Sequence, residues 1–447
     1  MKSALRIIFI SSVLALSCGT LSAQYRDTFD EIRKDPLKAG NVLYMYNHDV
    51  PAHAKAPAGY KPFYISHYGR HGARNHSQNK DFTAIMKVFS TARQKGLLTP
   101  RGEKCYEDYA AVFPVLDGCG GDISDLGIEQ QHKIAHNMYR NYKSVLKKGA
   151  KVDAVATTVP RVILSMTSFC DQLQADSPGL RIERQSSSST MYYLNPFTTF
   201  NPDVDKIEEG FHSKKVCWSD SFYEFMRNRL RPDEFFSNLF TDLDFLNEFG
   251  DRTKLEFAFY EVLSSLQDNG KCHSDLSLYF DIDELCRAFE ASNYRFYVTK
   301  GPDTLWQHGR QYAFAWRTIN DIIEKADKDI ESGEYAARLR FGHDIIVMSM
   351  FKILEVEGYN RSVGDFDEVR DLWRSYDFPV SLNLQFIFYR NRGNDILVRV
   401  MYNERDLELP LKDCGTRYYY RWKDLKNYMN SRIEVSRHII ATYPCVK

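Results

Sequence analysis

Three short alternating runs, Lys61–His67, Lys151–Thr157 and Ala337–Gly342, each end in a turn. The second and third continue into segments with helical spacing. This strand–turn–helix order constrains the chain most, because its repetition argues for a layered α/β structure around a largely parallel sheet. The helical segments are Val162–Leu173 after the second run and Ile345–Val356 after the third. Another, Asp122–Leu146, carries apolar residues at Ile128, Ile134, Met138 and Tyr142, with Ser124 or Asp125 able to cap it. Ile396–Tyr402 reads as a fourth strand. From about Ser219 to Ala326 the pattern is instead helical and rich in aromatic residues, which helical packing alone accounts for. The expected fold class is therefore α/β, a mostly parallel sheet flanked by helices with an inserted all-helical cap domain. The expected division is a signal peptide at 1–23, an α/β core at 24–200 and 330–447, and a helical cap at 201–329.

The 447 residues are 43% hydrophobic, enough for one large domain with an insertion or for two domains. Lysine plus arginine number 59 and aspartate plus glutamate 59, so no nucleic-acid footprint is evident and any anion site must be local. The start of the chain reads as an export leader: Lys2 and Arg6, then an apolar run Ile7–Leu16, then Leu21-Ser22-Ala23. The run is too short to span a membrane. Ala15-Leu16-Ser17-Cys18 is a rough lipid-attachment box, so a lipid anchor at Cys18 is the alternative to a periplasmic or secreted chain. Without Cys18, eight cysteines remain: Cys105, Cys119, Cys170, Cys217, Cys272, Cys286, Cys414 and Cys445. An even number in an exported chain predicts disulfides. Sequence neighbours pair most economically (105 with 119, 272 with 286, 414 with 445), although sequence alone does not define the connectivity. No CxxC occurs, which argues against a zinc site.

Ligands of open α/β sheets bind beyond the carboxyl ends of the strands. Arg70, His71 and Arg74 follow the first strand, Arg161 the second, and His343 with Asp344 the third, where a helix begins. So many cations around one point repel one another unless an anion sits among them. Arginine's planar fork suits phosphate oxygens, and the helix start at Asp344 adds backbone N–H groups. The arginines should depress the pKa of His71, leaving a neutral imidazole able to act as a nucleophile. Gly69 and Gly72 leave room for a phosphate near the backbone.

Arg70-His71-Gly72-Ala73-Arg74 and the later Gly342-His343-Asp344 resemble the two signatures of the histidine acid phosphatase family, which includes phytases and multiple inositol-polyphosphate phosphatases. Thr157-Thr158-Val159-Pro160-Arg161 with Ser165 is similar to that family's middle arginine segment. Ile123-Ser124 with Gly127 and Gln130 resembles a helix start found there, and Ile396–Glu404 its C-terminal strand. The resemblance runs in order from about Lys61 to Pro410. It implies a metal-independent hydrolysis with no cofactor. His71 would attack phosphorus, Arg70, Arg74, Arg161 and His343 would hold the phosphoryl oxygens, and Asp344 would protonate the leaving alkoxide. The chain departs from the pattern at His76, where the family has proline. It has His343-Asp344, as in phytases and general acid phosphatases, where the inositol-polyphosphate branch usually has His-Ala-Glu. Ala73 stands where the mutase branch has glutamine or glutamate.

The expected function is an exported phosphomonoester hydrolase acting through a phosphohistidine, with inositol polyphosphates such as phytate as substrate. The alternatives are a broad acid phosphatase or phosphotransferase on other organic phosphates, or a phosphate-ligand binding protein without turnover. The expected partner is a small phosphorylated substrate, with no nucleic acid and no membrane span. Lys206, Lys214 and Lys215 are candidates to meet further phosphates, against the plainer reading of surface lysines. His67 is read as a core or supporting histidine, and His132 and His136 as surface or core residues.

Overall fold

The computed structural model describes residues 26–51, 55–195, 217–272, 275–306 and 309–442. Its eight-stranded sheet has the order β3-β2-β4-β1-β5-β6-β7, with β8 also paired to β6. The strands are β1 (Lys61–Arg70), β2 (Lys151–Ala156), β3 (Arg181–Ser186), β4 (Ala337–Gly342), β5 (Asn383–Arg390), β6 (Ile396–Tyr402), β7 (Arg405–Asp406) and β8 (Tyr419–Arg421). The three runs read from sequence are the neighbouring strands β2, β4 and β1, all parallel, with β3 parallel at the edge. Beyond β1 the sheet turns antiparallel, so it is mixed. The reason is local. β5 and β6 are joined by a short turn in which Asp395 N–H bonds Asn391 Oδ1 and Asn394 adopts a positive φ of 61°. A hairpin returns a strand antiparallel, whereas a helix returns it parallel.

Central β4 is buried at all six positions. Ala337, Leu339 and Phe341 face one core, shared with Ile134, Val162 and Phe169 of the helices Asp125–Asn141 and Pro160–Asp176. The alternate residues Arg338 and Arg340 meet carboxylates of the helix Trp316–Ser332. Arg338 holds Asp329 at 2.7 Å and Asp153 of β2 at 2.6 Å, and Arg340 holds Asp321 at 2.6 Å. Sliding β4 by one residue would place these charges in the apolar core, so the pairs pin its register.

The second core is larger and runs into the helical domain. Phe89, Phe235, Phe236, Phe240 and Phe259 pack there edge to face, tilted and, for Phe236 on Phe240, stacked, with centroids 4.9–6.0 Å apart. Helices Asn79–Gln94 and Pro100–Leu116, which precede β2, join this cluster through Phe89 and Tyr109. The long helix Ile282–Lys300 opens on an Asp281–Glu284 capping box. No helix among the described residues is long and apolar enough to cross a membrane.

The cysteine pairing expected from sequence is not formed. Cys105, Cys119, Cys170, Cys272, Cys286 and Cys414 are free thiols. From Cys105 to the end of its helix at Leu116 is roughly 16 Å of helical rise, far beyond the span of a disulfide. Burial also pushes the thiols of Cys272 and Cys286 up to about 11, which removes the reactive thiolate. The leader with Cys18, the lysines 206, 214 and 215, and Cys445 lie outside the described residues, as does the side chain of Cys217.

Candidate active site

Register decides what meets at the carboxyl edge of the parallel strands. Arg70 of β1 lies beside Gly342 of β4, and Phe341 beside Ala156 of β2. The residues that follow these three strand ends therefore emerge side by side. His71 N–H bonds Gly342 O at 3.1 Å, and Thr157 N–H bonds Phe341 O at 3.2 Å. All six residues singled out in the sequence gather here. Arg70, Arg74, Arg161 and His343 surround His71, whose ring centroid is 5.6 Å from that of His343. Arg70 Nη2 lies 3.6 Å from Asp344 Oδ2.

The turn after β1 is held from beneath by the start of the helix Asp125–Asn141. Ser124 caps that helix by accepting from Gly127 N–H, and its own N–H bonds Ala73 O at 3.0 Å. Gln130 Oε1 receives Ala73 N–H at 3.0 Å, and Gln131 Nε2 donates to Arg70 O at 3.2 Å. A Cβ on Gly72 would come within 2.4 Å of Gly127 O, so the turn and the helix touch backbone to backbone. Ser165 Oγ accepts Gly72 N–H at 3.0 Å and donates to Arg161 O at 2.8 Å, tying the second strand's helix to the first strand's turn. The residues shared with the family segments at 123–130 and 157–165 thus act as supports for the turn.

His71 Nδ1 lies 2.8 Å from Gly72 O. A carbonyl only accepts, so Nδ1 carries the hydrogen and Nε2 keeps its lone pair. Burial, then Arg70, Arg161 and Arg74, hold His71 well below the usual histidine range, and it is neutral. Burial and Arg161 lower His343 to about 3. Burial and the neighbouring arginines lower Arg74 to about 10, and Arg161 is lowered for the same reasons. Nε of Arg70, Nε of Arg74, Nε of Arg161 and Nε2 of His343 are buried without a hydrogen-bond partner. Burial opposes the charge on Asp344, yet the cations Lys300 and Arg70 hold its carboxyl far below the carboxylate range. Asp344 Oδ1 also accepts Ile345 N–H at 2.9 Å, at the start of its helix.

Two residues of the site were not singled out in the sequence. Lys300, the last residue of the Ile282–Lys300 helix, brings Nζ to 3.5 Å from Asp344 Oδ2. Asp268 is fully buried near Arg74 and Arg70, and burial pushes its carboxyl up to about 8. Neither belongs to a local motif. His76 Nε2 lies 2.7 Å from Asp81 Oδ2, so a side-chain hydrogen bond organises the loop where the family has proline. His67 sits between Phe169 and Phe341, with ring centroids 5.2 and 5.4 Å away. His136 is exposed beside Asp176 at 3.0 Å, and His132 is half-buried. A cleft of about 270 Å³ opens from the cluster toward the helical domain, lined by Arg74, His76, Asn41, Arg295, Thr299 and Lys300.

The fold, a mixed α/β sheet facing helices, is shared with solved inositol polyphosphate phosphatase and phytase structures. The multiple inositol polyphosphate phosphatase of Bifidobacterium longum, in its apo form, matches with a TM-score of 0.73 at 16% identity, over 87% of this chain and 97% of that one. Its complex with inositol hexasulfate matches at 0.71 and 15%, over 89% and 98%. The phytase of D. castellii matches at 0.62 and 13%, over 89% and 85%. At these identities the likeness establishes the fold. No protein-family model and no curated protein matches the chain.

Proposed function

We propose that the chain is an exported phosphomonoester hydrolase that works through a phosphohistidine on His71, with inositol polyphosphates such as phytate as its substrates. The observation that carries this reading is the set of buried, unpartnered nitrogens on Arg70, Arg74, Arg161 and His343 around a neutral His71. Unpaired buried donors are costly, and a phosphoryl group supplies the oxygens they lack. The Bifidobacterium longum protein forms complexes with inositol hexasulfate and with phosphate, which supports the same ligand chemistry here. The division into a core at 24–200 and 330–447 and a cap at 201–329 belongs to this reading, as does the leader at 1–23.

In the mechanism, Nε2 of His71 attacks phosphorus while the ester P–O bond breaks. Its electron pair goes to the leaving oxygen, which takes the proton of Asp344. Water then attacks phosphorus, the P–N bond breaks, and a proton of that water returns to Asp344. Arg70, Arg74, Arg161 and His343 hold the oxygens on which charge spreads, the part of catalysis in which preorganised donors count most. Proton donation by Asp344 contributes about two to four decades. Without a bound phosphate, Lys300 and Arg70 keep Asp344 ionised. An arriving phosphate cancels their charge, so its entry lets the carboxyl hold a proton. A unit pair at 4 Å is worth about 4 kcal/mol at an effective dielectric of 20, enough to move a pKa by about three units.

A second reading, a broad acid phosphatase, draws on His343-Asp344 in place of His-Ala-Glu. Phosphate release from phytate and from an aryl phosphate, measured with chelator from acid to neutral pH, decides between them. His71→Ala is expected to abolish release from both. Equal release by wild type and His71→Ala would sink the nucleophile assignment.

A further inference from the structure

His343 is the N-cap of the helix Asp344–Ile353, but its side chain makes no capping bond. Its own N–H donates to a side chain instead, Tyr68 Oη at 3.1 Å. Tyr68 stands on β1 two places before Arg70, hence on the same face of the sheet, and it is fully buried. The hydroxyl also lies 3.4 Å from Leu194 O and 3.5 Å from His343 O, two carbonyls able to accept its hydrogen. Burial raises its pKa well above the ordinary tyrosine range, and the charge of Asp344 adds to the shift, so the hydroxyl keeps its proton. A Cβ on Gly342 would stand 2.1 Å from Tyr68 Oη. The hydroxyl thus fills the place of a side chain at 342, and glycine is needed there for close approach.

We propose that Tyr68 is a positioning residue for proton donation. Wedged against Gly342 and holding the N–H of His343, it sets the direction in which His343 and Asp344 leave the strand. This role rests on the reading of Asp344 as proton donor. Phosphoryl transfer places the attacking and leaving atoms roughly in line, so the acid must stand across phosphorus from Nε2 of His71. His71 is itself tied to the end of β4, since its N–H bonds Gly342 O at 3.1 Å. Nucleophile and acid therefore hang from neighbouring residues of one strand end, one through Gly342 O and the other through the peptide that Tyr68 holds. A misplacement of about 1 Å in such an arrangement can cost about a hundredfold in rate. Tyr68 acts through this peptide. Without its hydroxyl, His343 N–H loses its acceptor and the turn gains the space to shift.

The test compares wild type, Tyr68→Phe and Asp344→Asn on glycerol 2-phosphate, whose alkoxide leaves poorly without a proton, and on p-nitrophenyl phosphate, whose phenolate leaves readily. Tyr68→Phe keeps the ring and removes only the hydroxyl. Asp344→Asn is expected to lower kcat on the alkyl ester by about two decades and on the aryl ester far less. Tyr68→Phe should show the same selectivity in smaller measure, the alkyl-to-aryl ratio of kcat falling about tenfold while KM stays within about twofold. Thermal melts establish that each variant is folded. Gly342→Ala, which presses on the same contact from β4, should lower the ratio in the same direction and serves where Tyr68→Phe is unstable. Ratios within about twofold of wild type in Tyr68→Phe and Gly342→Ala, with Asp344→Asn selective, would leave Tyr68 a packing residue and overturn the proposal. Equal losses on both esters in Asp344→Asn would overturn the proton-donor reading and the proposal with it.

Discussion

The chain buries two sets of arginines, and they are opposites. Arg338 and Arg340 on β4 are each met by aspartates at 2.6–2.7 Å, and those partners raise their pKa. Arg74 and Arg161, at the ends of the neighbouring strands, have lowered pKa values and buried Nε atoms without partners. Arg70 has carbonyl contacts and a 3.6 Å approach to Asp344, which Lys300 shares. Asp268 is close enough to act on Arg74 and Arg70, but its buried carboxyl forms no ion pair with either and stays protonated up to about pH 8. Where the protein supplies the counter-charge, a buried arginine is architecture. Where it withholds it, the arginine is left for a ligand.

The comparison can be broken by substitution, and the largest effect should come from the satisfied set. Arg340→Met leaves Asp321 buried and unpaired, so a loss of about 3–5 kcal/mol in denaturant unfolding is expected, with kcat/KM of the folded fraction kept. Arg161→Met should do the reverse. It removes a repulsive charge, so the melting temperature should hold or rise, while kcat/KM falls by about two to three decades. A melting temperature that drops in Arg161→Met as far as in Arg340→Met would erase the distinction.

Inorganic phosphate should sharpen the contrast from the ligand side. At about a hundredfold over its Kd it should stabilise the wild type by about 2.7 kcal/mol, and Arg340→Met, once corrected for its lower baseline, by the same amount. Arg161→Met should gain much less in the same scanning-fluorimetry series.

The last effect concerns Asp268. An aspartate ordinarily ionises near 3.8, and this one is raised to about 8. The folded protein therefore holds a proton that the unfolded chain has released, and Asp268 costs stability progressively as pH rises from about 4 to about 8. Asp268→Asn cannot ionise. Its advantage in unfolding free energy over wild type should be small near pH 4 and grow toward pH 8. An advantage that does not change with pH would mean that Asp268 is already ionised beside Arg74, and the two sets of arginines would then differ less than described.

Much of the site was legible because its chemistry is local. Arg70, His71 and Arg74 share one turn, and His343 and Asp344 share one helix start, so spacing alone brings each group together. The parallel strands β1, β2 and β4 were legible through their alternation and their turns. β5 was not, because a strand buried on both faces reads as a continuous apolar run rather than an alternating one. The disulfides were misread because economy along the chain ignores the helix that holds Cys105 away from Cys119.

By itself the sequence determined which residues stand at the ends of the strands, and hence that a cluster of cations would surround His71. Only the tertiary structure decided which of those cations would be neutralised. Asp321 and Asp329 reach β4 from a helix that packs on the sheet, and Lys300 reaches Asp344 from the end of a helix in another domain. Such pairings follow from how elements dock, and the energy of a charge depends on what docks beside it as much as on its place in the chain.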